Sequence, residues 1–375
     1  SRSFHSSCPA MVEGHSVHRV AAVHRQKLVG KVFTASSPNG RFKEGAAAID
    51  GKKYHSIEAV GKNLFAFFGE EATKLVVVHV HFGMSGQWSI FDRRKEEVPP
   101  VTSTTRLCLE HEDGLVSHLS AMTVRCEEES YYHEKRKILG QDPLREDADP
   151  EDLFRRIASK RSAGRSIGDI IMDQSFFAGP GNIYRAEILF RAGVHPSTLC
   201  GELGGEELRR IWQESVSLLR RGFLTGSILT VDPEEAKALG RPGMRRYIYN
   251  AEACGRCGSR VVSWDLKGRT CYACPSCQPV PSHSQDVKFA PARVFLSHCA
   301  RETLEERERQ GLEKLTVSEL RDRLVKLGLS TGGKKSELIA RIDGSGWRVK
   351  EEGQVQDEKN EEEGKKQEQE QEQEQ

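Results

Sequence analysis

A chain of 375 residues has room for two or three folded units, and it holds no run of eighteen apolar residues that could cross a membrane as a helix. Its formal charge of +1 understates how basic most of it is: residues 351–375 hold eleven acids and three lysines, a balance of −8, which leaves +9 on residues 1–350. That balance suits phosphate contact, and ten cysteines, four at knuckle spacing and six scattered, suit a reducing compartment better than a disulfide framework.

In chain order, residues 1–11 carry one arginine, four serines and no acid, the composition of an organellar leader. Arg2, Phe4 and Ser7 stand ten, eight and five residues before a cut between Met11 and Val12, a spacing similar to two-step organellar cleavage. Further on, Ile170, Ile171 and Met172 end in turn residues, and a new helix is expected near Gly181-Asn182. Its core face is Ile183, Ala186, Ile188, Leu189 and Phe190, and Gly193 with Pro196 stops it. The glycines at 179 and 181 allow tight backbone, and free N–H groups at a helix start favour an anion, to which Asn182 can add an amide. A plain N-cap in a helical hairpin explains the same residues equally well.

Cys254-Gly-Arg-Cys257 and Cys274-Pro-Ser-Cys277 are two C-x-x-C knuckles sixteen residues apart. Four thiolates at this separation fit a tetrahedral structural Zn2+, which leaves no open position for catalysis. Between them a hairpin is expected, 260–264 and 269–272 with a turn near Lys267-Gly268. Cys271 also forms a C-x-x-C with Cys274 and could displace Cys277. Residues 280–311 read as linker. Two short amphipathic helices follow, with Leu320, Leu324 and Leu327 on one face and Leu338, Ile339 and Ile342 on the other, joined by a glycine-rich turn that ends at Lys334 and Lys335. From 350 to 375 the Glu/Gln repeat has nothing to bury and is expected to be disordered.

Together these segments resemble the formamidopyrimidine-DNA glycosylase / endonuclease VIII family of base-excision repair enzymes. Met11-Val12-Glu13-Gly14-His15 resembles its catalytic start, and Val60-Gly61-Lys62-Asn63-Leu64 the strand carrying a phosphate-binding lysine. His81-Phe82-Gly83-Met84-Ser85-Gly86 resembles a loop with a phosphate-contacting histidine and an intercalating methionine. Leu139-Gly140-Gln141-Asp142-Pro143-Leu144 resembles the entry to its second domain, and Gly268-Arg269-Thr270 the tip of its finger. The helical pair at 315–342 resembles a SAP module, a small DNA-binding hairpin, with protein contact as the plainer alternative.

The resemblance implies an α+β multidomain chain: a leader at 1–11, a catalytic β-sandwich at 12–138, a helix-two-turns-helix domain at 145–248, a zinc-ribbon finger at 249–279, a SAP-like module at 312–345 and a disordered tail. It implies a bifunctional glycosylase and abasic-site lyase acting as a monomer on damaged DNA, in the nucleus, a mitochondrion or another organelle. The Val12 amine would attack C1′, Glu13 would protonate the sugar ring, and Lys62, His81, Asn182 and Arg269 would grip phosphates. Met84 would fill the gap left by the extruded base, and Lys334 and Lys335 would touch DNA from the SAP-like module.

Two departures matter. A leader still attached would turn the nucleophile into an amide, so a non-catalytic DNA-binding protein of the same architecture is the rival reading; a zinc-ribbon transcription or RNA-processing factor explains the cysteines alone. The family's arginine–phenylalanine wedge has no counterpart near 118–127, where only Arg125 offers a substitute. Single-stranded or bubble substrates should then be better tolerated.

Overall fold

The computed structural model describes residues 12–70, 74–284, 289–292, 312, 315–326 and 330–344. The expected leader and acidic tail lie outside the described residues. Contacts divide the chain into two units, Ser1–Phe295 and Leu296–Gln375. No described helix is long and apolar enough to cross a membrane.

In the first unit, helix α1 (Gly14–Lys27) begins immediately after Glu13. Two antiparallel four-stranded sheets follow. The first orders β1 (Thr34–Ser36), β6 (Leu107–Glu110), β7 (Leu115–Ser120) and β5 (Gln87–Asp92) side by side. The second orders β2 (Tyr54–Val60), β3 (Asn63–Phe68), β4 (Val76–His81) and β8 (Thr123–Glu128). Short α2 (Lys43–Ile49) packs with them, and α3 (Glu129–Ile138) follows β8.

β3 shows why this sequence makes a doubly covered strand. Its side chains alternate between faces. Leu64, Ala66 and Phe68 enter the core shared with the other sheet and with Val17 and Ala21 of α1, while Phe65 and Phe67 pack on the outer face with Tyr131 and Tyr132 of α3. All five are buried, so neither face reads as polar. The lysine expected on a strand stands instead in the two-residue turn joining β2 to β3. Gly61 there has φ +59, which a tight hairpin connection requires and a side chain resists.

The helical part comprises α4 (Pro150–Ile157), α5 (Ile167–Ile170), α6 (Asn182–Ala192), α7 (Gly205–Thr225) and α8 (Pro233–Ala238). Helix α6 starts and stops where expected, with Gly193 left-handed at its end, and the five apolar side chains named for its core face are buried. They divide between two cores: Ile183, Ile188 and Leu189 pack with α7, while Ala186 and Phe190 face the finger. In the finger, β9 (Val262–Asp265) pairs with β10 (Thr270–Ala273), and β11 (Ala290–Pro291) adds to the other edge of β9.

The second unit holds α9 (Val317–Lys326) and α10 (Lys335–Gly344). Thr316 and Glu319 cap α9 reciprocally, the Thr316 N–H donating to Glu319 Oε2 at 2.7 Å and the Glu319 N–H to Thr316 Oγ1 at 3.3 Å. The two apolar faces are one core: Leu320 and Leu324 pack on Leu338, Ile339 and Ile342, with Leu312 alongside. Leu327 lies outside the described residues. Arg341 closes the connecting turn by donating to the carbonyls of Ser330 (2.6 Å) and Gly332 (2.9 Å).

Candidate active site

Glu13 is the N-cap of α1, yet its carboxylate does not cap. The Ser16 hydroxyl does that work, accepting from the Glu13 N–H at 3.2 Å and donating to the Glu13 carbonyl at 2.7 Å. The carboxylate is thereby released into the interior, where the residue is 1% exposed. Among the described residues it forms one ion pair, with Lys62, whose Nζ lies 2.8 Å from Oε2. The Ile183 N–H in the first turn of α6 faces the same carboxylate without closing a full hydrogen bond. The anion-attracting helix start is therefore turned toward a protein carboxylate. Burial raises the Glu13 pKa, and Lys62, Arg269 and the Ile183 N–H offset only part of that rise.

Backbone approach makes the pair possible. The Gly14 N–H donates to the Gly179 carbonyl at 3.0 Å, and a Cβ at Gly61 would stand 2.7 Å from Gly179 N. A Cβ at Gly181 would overlap the Glu13 carboxylate and the Lys62 ammonium, so glycine there leaves the space that the pair fills. The turn holding Lys62 is anchored by Asp142, a buried residue to which the sequence assigned no role. Asp142 Oδ2 accepts from Gly61 N–H (2.6 Å) and meets His18 Nε2 (2.7 Å), and Oδ1 accepts from Leu144 N–H (2.9 Å). Gln174 sets the loop before α6, accepting from Gly179 N–H at 3.0 Å and donating to the Pro180 carbonyl at 3.0 Å.

Asn182 is the first residue of α6, and its amide is engaged: Nδ2 donates to the Thr270 carbonyl at 3.0 Å, and Oδ1 accepts from Arg185. Arg185, buried and also missed, donates to the Thr270 carbonyl as well, at 2.9 Å. These contacts fasten the finger to α6 and carry exposed Arg269 to the site, where its charge acts on Glu13. His81 ends β4, half-buried, with a pKa lowered first by burial and then by Lys62.

Met84 is 77% exposed, not core. Met122, 63% exposed, packs on Gly83, the residue before Met84, and lies on the two-residue connection between β7 and β8. A connection that short has no room for a longer wedge. Arg125 lies within β8 opposite His79, away from that tip.

Val12 is half-buried and packs against the core between the sheets, immediately before Glu13. The geometry thus gathers Val12, Glu13, Lys62 and Arg269 around the start of α6. Lys334 and Lys335 belong to the second unit. In the finger, the sulfurs of Cys254, Cys257, Cys274 and Cys277 lie within 4.8 Å of one another and can hold a metal ion. Cys271 is buried on β10 outside that set, which settles the choice in favour of Cys277.

Residues 11–123 match the formamidopyrimidine-DNA glycosylase N-terminal domain, residues 139–232 the formamidopyrimidine-DNA glycosylase H2TH domain, and residues 311–344 the SAP domain. Endonuclease 8 1 of Mycobacterium tuberculosis is 34% identical over 278 residues, covering 72% of this chain and 100% of that protein. The chain belongs to the formamidopyrimidine-DNA glycosylase / endonuclease VIII family. Endonuclease 8 of Salmonella typhimurium, a further relative of this family, is 27% identical over 271 residues. The fold is shared with the Lactococcus lactis enzyme solved with DNA containing an abasic site, at a TM-score of 0.58 and 22% identity over 72% of this chain and 100% of that one.

Proposed function

We infer that this family member is a bifunctional DNA glycosylase and abasic-site lyase that works from the amine of Val12. The observation that carries the reading is the buried Glu13–Lys62 pair beside residue 12, held in a gap that only glycine at 181 leaves open. An α-amine has an unperturbed pKa of about 7.7–8.0, so a useful fraction is neutral near pH 7. Its lone pair forms a bond to C1′ of the damaged nucleoside while the bond from C1′ to the base breaks. Glu13, whose pKa burial raises, gives its proton to the sugar ring oxygen and opens the ring. The resulting Schiff base makes the C2′ proton acidic, and its removal expels the 3′ phosphate and nicks the strand.

Lys62, His81 and Arg269 serve as phosphate contacts around the extruded nucleotide, and Asn182 joins them by releasing its amide from Thr270. Met84 fills the vacated stack. The ion held by the four cysteines is zinc. Tetrahedral Zn–S bonds of about 2.3 Å imply sulfur separations near 3.8 Å, which 4.0 Å for Cys254–Cys277 and 3.5 Å for Cys257–Cys274 support. It stiffens the finger that presents Arg269. Lys334 and Lys335 of the SAP module add contact to undamaged DNA.

Borohydride trapping on an abasic-site oligonucleotide tests the reading, with protein starting at Val12 beside protein starting at Ser1. Covalent capture by the Val12 form alone is expected. DNA binding without capture by either form would favour the non-catalytic alternative.

A further inference from the structure

Helix α3 carries basic side chains whose surroundings differ. Lys137 pairs with Glu134 at 2.7 Å and Arg136 with Asp147 at 2.9 Å, whereas no ion pair is formed by Lys135 among the described residues. The path of the chain places Lys135. Strand β8 runs from Thr123, opposite His81, to Glu128, opposite Val76. Helix α3 starts at the next residue and turns back along the outer face of the sheet, reaching the catalytic end at Gly140, whose N–H donates to the Gln174 carbonyl at 2.9 Å.

Its register on β4 is set by hydrogen bonds. Tyr131 Oη is 2.9 Å from His79 Nδ1, and His79 Nε2 is 2.9 Å from Asn63 Oδ1. An amide oxygen only accepts, so Nε2 carries the ring proton and the Tyr131 hydroxyl donates to Nδ1. Four helical residues advance about 6 Å, and two strand residues about 6.7 Å. Lys135, one turn beyond Tyr131 on the same helical face, is therefore level with His81, two residues beyond His79 on the same strand face. The charges agree: burial lowers the pKa of both histidines, and Lys135 adds to the lowering in each.

Among the described residues no carboxylate forms an ion pair with Lys135, whereas Lys62 is paired with Glu13 at 2.8 Å. Glu134 is held by Lys137 and Glu128 by Lys74. Glu127 lies opposite Val77, four residues or about 13 Å along the strand from His81. Arg125, opposite His79, adds positive charge. Lys62, His81 and Lys135 thus form a line of cationic and imidazole groups leading from the catalytic turn onto α3.

We propose that Lys135 binds a DNA backbone phosphate next to those that Lys62 and His81 face, extending the DNA-contacting track onto α3. The proposal rests on the glycosylase reading. The Tyr131–His79–Asn63 chain holds the helix so that the lysine stem stands in a fixed place, and a backbone phosphate is the partner that answers Lys135 beside His81.

The test is the salt dependence of binding to a duplex carrying a stable abasic-site analogue, using the chain started at Val12. Each phosphate contact contributes about 0.9 to the slope of log K against log salt concentration. Lys135→Ala should lower the slope by about that amount, Lys135→Arg should restore it, and Lys137→Ala should leave it unchanged. An unchanged slope in Lys135→Ala, with covalent trapping on abasic DNA intact, would overturn the assignment and leave the glycosylase reading standing. An unchanged slope with a shifted pH profile would mean that Lys135 only tunes His81, which also overturns it. Failure of every form to trap would instead remove the glycosylase reading and this proposal with it.

Discussion

Glu13 is where burial and charge oppose each other most directly. Its carboxyl is enclosed, and Lys62 at 2.8 Å does not fully offset the cost of ionising it, so the folded protein binds its proton more tightly than the unfolded chain does. The stability it contributes is present below the unfolded carboxylate value and is lost as pH rises through the raised folded value. Glu13→Gln should therefore melt higher than the parent at pH 8 and show a smaller difference at pH 5, by calorimetry. The same change removes the ring-opening proton. Base excision should fall about 10²–10⁴-fold, while trapping on a pre-formed abasic aldehyde, which needs no base departure, falls much less; equal loss in both assays would count against the general-acid role. Gly181→Ala separates packing from charge. The φ of Gly181 is −124°, ordinary for any residue, so its cost comes from the methyl that displaces Glu13 and Lys62. Overpacking of this kind costs about 1–3 kcal/mol, visible in urea unfolding, and excision should drop along with it.

At the scale of elements, the site depends on junctions. The turn between β2 and β3 is held by Asp142 of the 139–144 stretch, and the finger is held from α6 by Asn182 and Arg185. A finger this small, with one hairpin and an added two-residue strand, would keep its shape through the metal ion that its four cysteines can hold. Chelation should release Arg269 and the Thr270 carbonyl from α6, abolishing trapping while the circular dichroism of the two sheets persists. Survival of full trapping after verified metal loss would show that the hairpin stands alone. The helix starts were legible because caps and apolar spacing are local signals. The place of Lys62 in a turn was not, because a strand and its hairpin connection differ only in the φ that Gly61 adopts.

For the whole molecule, the glycosylase-domain matches at 11–123 and 139–232 fall in the first unit and the SAP match at 311–344 in the second, each with its own core. Chemistry and DNA retention can then be separated. Lys334→Ala with Lys335→Ala should weaken binding to undamaged DNA and reduce its salt slope by up to about 1.8, yet leave single-turnover excision at saturating enzyme unchanged. A loss of the saturating rate would place the module in the reaction itself.

What the sequence determined alone was whatever is written at short range: the carboxylate next to residue 12, the cysteine knuckles, the start of α6 and the two apolar faces of the SAP hairpin. These need only spacing and helical or strand period. Tertiary structure decided the rest. Asp142 meets His18 across 124 residues and Gly61 across 81, Asn182 meets Thr270 across 88, and Cys271 is left out of the metal set by its place on β10. It also decided the direction in which the Glu13 pKa moves, because a pKa follows from how much water is excluded and which charges remain near. No local pattern carries that information, since the groups concerned come from four separate stretches of chain that only folding brings together.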